Sequence, residues 1–393
     1  MQQKEGTPMK KLVSVLLLLC LSLSLLAGCT DNVVENAIST TEPSNAPAAN
    51  HETPVDVPAD PAPKEPDPPV EEPKAEEHTI EEPVAESPTE APYEPIEINI
   101  AMLKGSTGMG AAKLMADAAE GLTANDYHFS LSADAADVMA KVISGEYDIA
   151  ALPTNSAAVA FNKSQGEVQM LAINTLGVLY LMQKTGVDGS PIQSFEQLRG
   201  QTIVAFGQGA NPEYVLNHLL TMNGLEPGTD VIIDWKATVD EVLSAVVVGD
   251  YDFVMLPEPN VSVANSKNPD YTICMDLTRE WDEISDGSLV MGSIVVTKSF
   301  AEAYPAAVEK FLEEYAASIE FVTTDATAPA VIAAQEIVPA EGIAKKALPN
   351  CHIVCITGAD MQPTVEAYYQ MLFEANPKAV GGSVPTADFY YGN

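Results

Sequence analysis

The chain repeats part of its own sequence at a fixed distance, and this repeat restricts the possible folds more than any other feature. The segment Gly145–Asn155 matches Gly249–Asn260, which lies 104 residues later. The same displacement aligns Ile100–Gly105 with Val204–Gly209. Two separate matches at one displacement indicate that the chain contains two units of similar structure.

Short apolar segments alternate with helical patterns in both units, which cover about residues 98–160 and 202–264. Strands are predicted at Ile98–Leu103, His128–Ser132, Asp148–Leu152, Ile203–Phe206, Val231–Trp235 and Phe253–Leu256, and helices at Ala111–Glu120, Ala135–Ser144, Glu213–Asn223 and Val239–Val248. This alternation predicts the α/β class, with two similar lobes built on mostly parallel central sheets.

Both repeated motifs fall at strand ends, where α/β proteins bind their ligands. In an open α/β sheet, ligands lie beyond the carboxyl ends of the strands, and helix N-termini present unpaired N–H groups there. One motif is a glycine-containing turn and the other is a strand that ends in Leu-Pro. Two such units facing each other would form a cleft that buries a solute when it closes.

The first 28 residues read as an export signal. Lys10 and Lys11 precede an uncharged, leucine-rich run over residues 12–26, which is too short to span a bilayer comfortably. Small residues at 27 and 28 precede Cys29, whose thiol is placed for lipid attachment. We therefore expect a signal peptide over residues 1–28 and a lipid on Cys29; an ordinary cleaved signal with a chance cysteine is the alternative.

Residues 29–96 have the composition of a disordered, acidic, Pro-rich tether. Residues 30–97 hold 18 acidic residues and 14 prolines, with too little apolar surface to fold. Such a tether reaches about 50 Å or more, and a Pro-rich docking site for a partner is the alternative reading. The whole chain carries a net charge of −37, which disfavours nucleic acid and acidic lipid surfaces as partners.

Four segments together resemble the type II periplasmic-type solute-binding proteins of ABC transporters, and the resemblance covers about residues 97–393. They are Lys104–Gly110, Gly145–Asn155, Ser194–Ile203 and Ser293–Pro305. The sequence is most similar to the branch that binds aliphatic sulfonates, nitrate and thiamine-pyrimidine precursors. The lipoprotein-type start of the chain agrees with this resemblance.

The resemblance implies a periplasmic binding protein type II fold, with two hinge-linked lobes around a cleft. Lobe 1 would comprise residues 97–190 and 298–393 and lobe 2 residues 195–290, with the hinge near Gln183–Pro191 and Gly292–Lys298. The implied protein is a monomeric, non-enzymatic receptor, lipid-anchored on the extracytoplasmic face of the cell membrane. It would capture a small organic solute, need no cofactor and deliver the solute to an ABC transporter permease.

The predicted ligand-binding residues all lie in turns at strand ends. They are Lys104, Gly105, Ser106, Thr107, Gly108, Thr154, Asn155, Asn174, Gln208, Gly209, Asn211 and Glu258. Glycines allow a close backbone approach, and the hydroxyl and amide side chains add hydrogen bonds or simply cap the following helices. Lys104 would pair with an anionic solute or lie free in solvent, whereas Glu258 facing the cleft would favour amine or pyrimidine-type donors.

Residues with catalytic or metal-binding chemistry are sparse. Cys351 and Cys355 are the one ligand-like cluster, and no second pair completes a zinc site, so we expect no metal. Two alternatives to a transport receptor remain open. One is an enzyme of the same fold acting on a pyrimidine or a similar small metabolite, and the other is a surface sensor that does not transport.

Overall fold

The structure is a computed structural model that describes residues 93–186 and 191–392. The predicted signal peptide, Cys29, nearly all of the predicted tether and residues 187–190 of the predicted hinge lie outside the described residues. Within the described part of the chain, no helix is both long and apolar enough to span a membrane.

Eleven strands lie within the described residues and form two sheets. They are β1 (Glu97–Leu103), β2 (Asp126–Ser132), β3 (Ile149–Pro153), β4 (Val168–Leu176), β5 (Leu179–Lys184), β6 (Thr202–Phe206), β7 (Ile232–Lys236), β8 (Phe253–Pro257), β9 (Tyr271–Asp276), β10 (Val290–Thr297) and β11 (Ile353–Ile356). Sheet 1 has the order β11-β4-β10-β3-β1-β2, and sheet 2 has the order β7-β6-β8-β5-β9.

Helices cover the sheets, and most begin within five residues of the end of a strand. They are α1 (Ser106–Met109), α2 (Ala112–Ala119), α3 (Ala135–Ile143), α4 (Thr154–Lys163), α5 (Asn211–Met222), α6 (Val239–Val248), α7 (Asn260–Lys267), α8 (Leu277–Asp282), α9 (Lys298–Ala303), α10 (Pro305–Thr324), α11 (Ala328–Ala334), α12 (Glu341–Ala347) and α13 (Met361–Ala375). Every residue of β10, and all but the last of β3 and β8, is buried, as expected for strands covered on both faces.

The sequence repeat corresponds to one strand arrangement used twice. Strands β2-β1-β3 in sheet 1 and β7-β6-β8 in sheet 2 are parallel and occur in the same order. Beyond them, each sheet continues with antiparallel pairings, to β10 and β4 in sheet 1 and to β5 and β9 in sheet 2. Four strands of each sheet therefore run in one direction. The predicted α/β class with two similar lobes is confirmed, and both sheets are mixed.

The chain crosses between the sheets earlier than predicted. β4 belongs to sheet 1 and β5 to sheet 2, so the first crossing lies at Gly177-Val178 rather than near residue 190. The return crossing lies between α8 and β10, before residue 290 rather than at 298. The prediction was wrong at both places because buried β5 and β10 look locally like any core strand. Lobe 1 is hereafter residues 93–176 and 290–392, and lobe 2 residues 179–186 and 191–282.

The first crossing is a tight passage between the lobes. A Cβ atom on Gly177 would lie 2.0 Å from Oγ1 of Thr278 in α8, so only glycine fits at this position. Nδ1 of His352 contacts the carbonyl of Gly177, and the hydroxyl of Tyr180 donates to the carbonyl of Asn350 at 2.9 Å. The connection between α12 and β11 therefore packs against the crossing and against lobe 2.

Candidate functional site

The carboxyl ends of strands from both sheets surround one cavity of about 850 Å³, which we call the interlobe cavity. Lobe 1 contributes Lys104, Gly105 and Ala133, which follow β1 and β2; lobe 2 contributes Phe206, Ala237, Thr238, Val239, Asp240, Pro259 and Asn260, which end or follow β6, β7 and β8. Ala333, near the end of α11, and residues 336–339 after it complete the wall. The shared gap predicted from the repeat is therefore present.

Lys104 and Gly105 are the predicted residues that line this cavity. Gly105 has a φ of +95°, a region that favours glycine, and its N–H donates to the carbonyl of Ile337 at 3.0 Å. A Cβ atom there would lie 3.6 Å from Cδ of Pro259, so the two lobes nearly touch. Lys104 is exposed and forms no salt bridge with any described residue.

The rest of the first glycine loop is engaged in its own structure. Nδ2 of Asn174 donates to the carbonyl of Thr107 at 2.8 Å and also to the hydroxyl of Tyr315 at 2.9 Å. A Cβ atom on Gly108 would lie 1.9 Å from the carbonyl oxygen of Leu103, so this glycine is required by the turn itself. Ser106 is buried at the start of α1. Contacts of Ser106, Thr107, Gly108 and Asn174 with a solute stay predictions.

Among the residues that the structure describes, six side chains have a buried polar atom without a hydrogen-bond partner. Asn217 and Thr278 are partly exposed, and we call the other four the unpaired set. They are Thr154, Asn155, Asn211 and Tyr368, with exposed fractions of 0%, 8%, 2% and 0%. The unpartnered atoms are Oγ1 of Thr154, Oδ1 of Asn155, both amide atoms of Asn211 and the hydroxyl of Tyr368. Buried polar atoms are normally paired, so these have capacity for a group that is not part of the chain.

Hydrogen bonds from α13, and from Asn376 directly after it, reach the start of α4 in lobe 1 and helix α5 in lobe 2. The hydroxyl of Tyr369 donates to the carbonyl of Thr154 at 3.0 Å, at the start of α4. Nδ2 of Asn376 donates to the hydroxyl of Tyr214 in α5 at 3.0 Å. Burial raises the pKa of Tyr368, and the nearby Tyr214 adds to the rise. Because Tyr214 lies one turn after the α5 member of the set, both share a face of that helix.

Gln208 and Gly209 lie on a different cavity, a groove of about 670 Å³ between α5 and α13. The N–H of Gly209 donates to Oε2 of Glu213 at 2.5 Å, so a group within lobe 2 already uses this donor. His218 also lines the groove, and burial lowers its pKa. The duplicated glycine loop therefore does not line the interlobe cavity, and solute binding by Gln208 and Gly209 stays a prediction.

Glu258 is buried, with an exposed fraction of 2%, and its carboxylate contacts groups of both lobes. Its carboxylate accepts hydrogen bonds from N and Oγ of Ser262, at 3.1 and 3.0 Å, and from Nδ2 of Asn350 at 3.2 Å. It lines a separate cavity of about 230 Å³. Burial raises the pKa of Glu258, while these hydrogen bonds oppose the rise. Glu258 thus lies outside the interlobe cavity, and its contact with a solute stays a prediction.

Sequence reasoning missed several residues at the lobe boundary and the cavities. Tyr368, which packs against Trp281, was not selected, and the Tyr-Tyr sequence at 368–369 is its one local signal. Thr238 was not selected, although its Oγ1 accepts from the N–H of Glu241 at 3.2 Å and caps α6. Residues 333–339 lie far along the chain from the repeat, and no local pattern connected them to it.

One group of side chains has the composition of a metal site, at the opposite edge of sheet 1. The ligand atoms of Glu97, Asp126 and His128 lie within 4.8 Å of one another, and all three residues are exposed. They belong to the first residues of β1 and β2, whereas the interlobe cavity lies at the carboxyl ends of these strands. This group is therefore separate from the candidate solute site.

Comparisons with known proteins agree with this geometry. A family model described as "ABC transporter, phosphonate, periplasmic substrate-binding protein" matches residues 112–318. An ABC transporter structure from Parabacteroides distasonis has a TM-score of 0.62 and 22% identity, covering 75% of this chain and 98% of that one. No match was found among curated proteins.

Two solved sulfonate-binding proteins have the same fold. The periplasmic aliphatic sulphonate binding protein SsuA from Escherichia coli has a TM-score of 0.59 and 17% identity, covering 74% of this chain and 91% of that one. The alkanesulfonate-binding protein SsuA from Xanthomonas axonopodis pv. citri, bound to MOPS, has a TM-score of 0.55 and 13% identity. The match covers 75% of this chain and 96% of that one. At these identities the similarity concerns the fold alone.

Proposed function

Because the chain belongs to the phosphonate-binding family of periplasmic substrate-binding proteins of ABC transporters, we propose that it captures a small organic solute between its lobes and delivers it to an importer permease. The proposal rests on the interlobe cavity, which is lined by the carboxyl ends of strands from both sheets. Members of this family bind and release solutes. The chain accordingly would perform no chemistry on the solute.

Capture would proceed by closure of the two lobes. Gly105 of lobe 1 lies almost in contact with Pro259 of lobe 2, so the present arrangement corresponds to a nearly closed cleft. Opening would separate these residues and let a solute enter the interlobe cavity. Release at the permease requires that the permease bind the open form more tightly than the closed form.

We also propose that a lipid on Cys29 anchors the receptor to the outer face of the cell membrane. The support is the sequence alone: a basic start, a leucine-rich run and small residues directly before the cysteine. Cys29→Ser should move the protein from the membrane fraction to the soluble fraction and abolish incorporation of labelled fatty acid. Cys20→Ser is the matched control, since that cysteine lies within the run and should leave lipidation intact.

Solute binding is tested on protein purified from membranes without refolding. Native mass spectrometry should detect a bound small molecule, and a thermal-shift screen across sulfonates, phosphonates, pyrimidines and nitrate should identify its class. A solute present at 100 times its Kd stabilises a protein by about 2.7 kcal/mol, which corresponds to a rise of about 5–10 °C in Tm for a domain of this size.

The outcomes separate the receptor from its alternatives. Chemical conversion of the solute by the purified protein would favour the enzyme. Binding without solute uptake in cells that also contain the permease would favour a sensor. No bound molecule and no thermal shift with any class would contradict the proposed function.

A further inference from the structure

We propose that the cavity beside Glu258 binds a small zwitterion, which is a molecule that carries an ammonium group and an acidic group a few bonds apart. This cavity has a volume of about 230 Å³, and we call it the Glu258 cavity. It shares no lining residue with the interlobe cavity. The site is therefore a second one, independent of the solute that the interlobe cavity takes.

Both lobes contribute to the walls of the Glu258 cavity, and hydrogen bonds join them there. Lobe 1 supplies Lys346 in the last turn of α12 and Asn350 after it. The carboxylate of Glu258 accepts from Ser262 of its own lobe and from Asn350 of the other. Lobe 2 supplies the remaining walls, which are Met182, Glu258, Val261, Ser262, Asn265, Thr272 and Ile273.

The two amide side chains on the walls leave oxygen atoms rather than N–H groups free. Nδ2 of Asn265 donates to the carbonyl of Tyr271 at 2.9 Å, and Nδ2 of Asn350 donates to Oε1 of Glu258 at 3.2 Å. These bonds fix how both amides are turned, and each Oδ1 remains an acceptor. Acceptors around one cavity are complementary to an ammonium group, which has three N–H donors and no acceptor.

Glu258 provides the negative charge that favours an ammonium group over a neutral donor. Its exposed fraction is 2%, and the three groups that donate to its carboxylate are uncharged. Burial raises the pKa of Glu258 although these hydrogen bonds oppose the rise, so they compensate only in part for the lost hydration of the charge. An ammonium group in contact with the carboxylate would form a charge-assisted hydrogen bond, which is about twice as strong as a neutral one.

Lys346 places a positive charge on the same cavity. The residue is exposed, and its Nζ donates to Oγ of Ser266 at 3.3 Å. It forms no salt bridge with Glu258 or with any other carboxylate of the described residues. Two opposite charges thus line one small cavity without pairing. A zwitterion can contact both, whereas a simple amine would meet Lys346 and a simple acid would meet Glu258 as a like charge.

The volume of the cavity limits the size of the zwitterion. A water molecule occupies about 30 Å³ in the liquid. The cavity of about 230 Å³ therefore has room for a molecule of roughly six to eight non-hydrogen atoms, which is the size of a small amino acid. The side chains of Met182, Val261 and Ile273 provide apolar contacts for its methylene groups.

The test compares β-alanine with propylamine, which lacks its acidic group, and with propionate, which lacks its ammonium group. Ligand-observed NMR titration of the full-length protein at neutral pH gives each affinity. β-Alanine should bind at least about tenfold more tightly than propionate, because only the ammonium group pairs with the buried carboxylate. It should bind about threefold more tightly than propylamine, since an exposed lysine contributes little. Propionate binding as tightly as β-alanine, or no binding by any of the three, would overturn the inference and leave the proposed function intact.

Two variants separate the contributions of the two charges. Glu258→Gln keeps the size of the side chain and should weaken binding of β-alanine at least about tenfold. Lys346→Gln should remove the preference for β-alanine over propylamine. Lys267→Gln is the matched control, since Lys267 is an exposed lysine of α7 that does not line this cavity, and the preference should persist there. A preference that persists in Lys346→Gln as well would contradict the role of that lysine and overturn the zwitterion.

Ile273→Trp keeps the test decisive where Glu258→Gln folds poorly or where β-alanine also enters the interlobe cavity. Ile273 is 40% exposed, so the protein can accommodate a larger side chain whose ring fills part of the Glu258 cavity. The variant should melt like the wild type and no longer bind β-alanine. Wild-type affinity in this variant would place the bound zwitterion elsewhere and overturn the inference.

Discussion

The hydrogen bond between Asn350 and Glu258 joins the α12–β11 connection to lobe 2, and its removal should destabilise the protein in a pH-dependent way. The carboxylate of Glu258 is 2% exposed and accepts three hydrogen bonds, of which Asn350 supplies one at 3.2 Å. Asn350→Ala removes that donor and leaves the two bonds from Ser262. The backbone carbonyl of Asn350, which binds Tyr180, is retained.

The expected loss of stability in Asn350→Ala follows from the burial of the charge on Glu258. A hydrogen bond to a charged group contributes about 1.5–3 kcal/mol, and burial of Glu258 leaves little solvent to replace the lost donor. We therefore expect Asn350→Ala to lower the free energy of unfolding by about 2 kcal/mol at neutral pH. In the Glu258→Gln background the bond joins two neutral groups, and the same change should reduce the free energy by about 1 kcal/mol.

The sign of the pH dependence follows from the raised pKa of Glu258. Burial makes the folded protein hold this proton more tightly than the unfolded chain does. The contribution of Glu258 to stability is therefore greatest below the ordinary glutamate pKa and falls as the pH rises through the raised value. Because protonation removes the charge, the effect of Asn350→Ala should be smaller at about pH 4 than at neutral pH.

Urea unfolding of the wild type, both single variants and the double variant gives the coupling free energy between the two residues. Fluorescence and circular dichroism should give coincident transitions, so that each midpoint reports one cooperative unit. We expect a coupling of about 1 kcal/mol at neutral pH and less at about pH 4. Equal effects of Asn350→Ala in both backgrounds and at both pH values would refute the reasoning and assign Asn350 a packing role only.

Three further predictions concern the glycine turn, the interface and the exposed lysine. Gly108→Ala should lower the Tm by about 4 °C or more, since its Cβ would lie 1.9 Å from a backbone carbonyl, whereas Gly342→Ala, with open space around it, should not lower the Tm. Solute binding should change the fluorescence of Trp281, which packs against Tyr368 across the lobes, and the change should persist in Trp235→Phe. Lys104→Gln should change the affinity for an uncharged solute less than about threefold, and a larger loss by titration calorimetry would mean that the solute is acidic.

The elements of the two repeated units were largely predictable from the sequence, whereas the strand order was not. Apolar runs such as Ile98–Leu103 and Phe253–Leu256 coincide with β1 and β8 because buried strands leave a strong local pattern. The repeat predicted that one arrangement would occur twice, and it does, as β2-β1-β3 and β7-β6-β8. Repeated sequence preserves the long-range pairing that local periodicity alone does not encode.

The crossings and much of the site could not be predicted because they depend on tertiary contacts. The run Leu179–Lys184 identifies a buried strand, but nothing in it records which sheet it joins. Glu258 was expected to face the cleft, yet its orientation depends on Ser262, four residues later, and on Asn350, which is remote in sequence. Tyr368 reaches the lobe boundary through the packing of α13, which the repeat does not include.

Enclosure of a solute by both lobes at once is the central claim, and hydrogen exchange tests it most directly. Full-length protein is compared with and without a solute that binds in the thermal-shift screen. The account predicts slower exchange in two places together: the turn that leads from Lys104 into α1 in lobe 1, and the first turns of α6 and α7 in lobe 2. Slower exchange confined to one lobe, or to surfaces away from these helix starts, would contradict it.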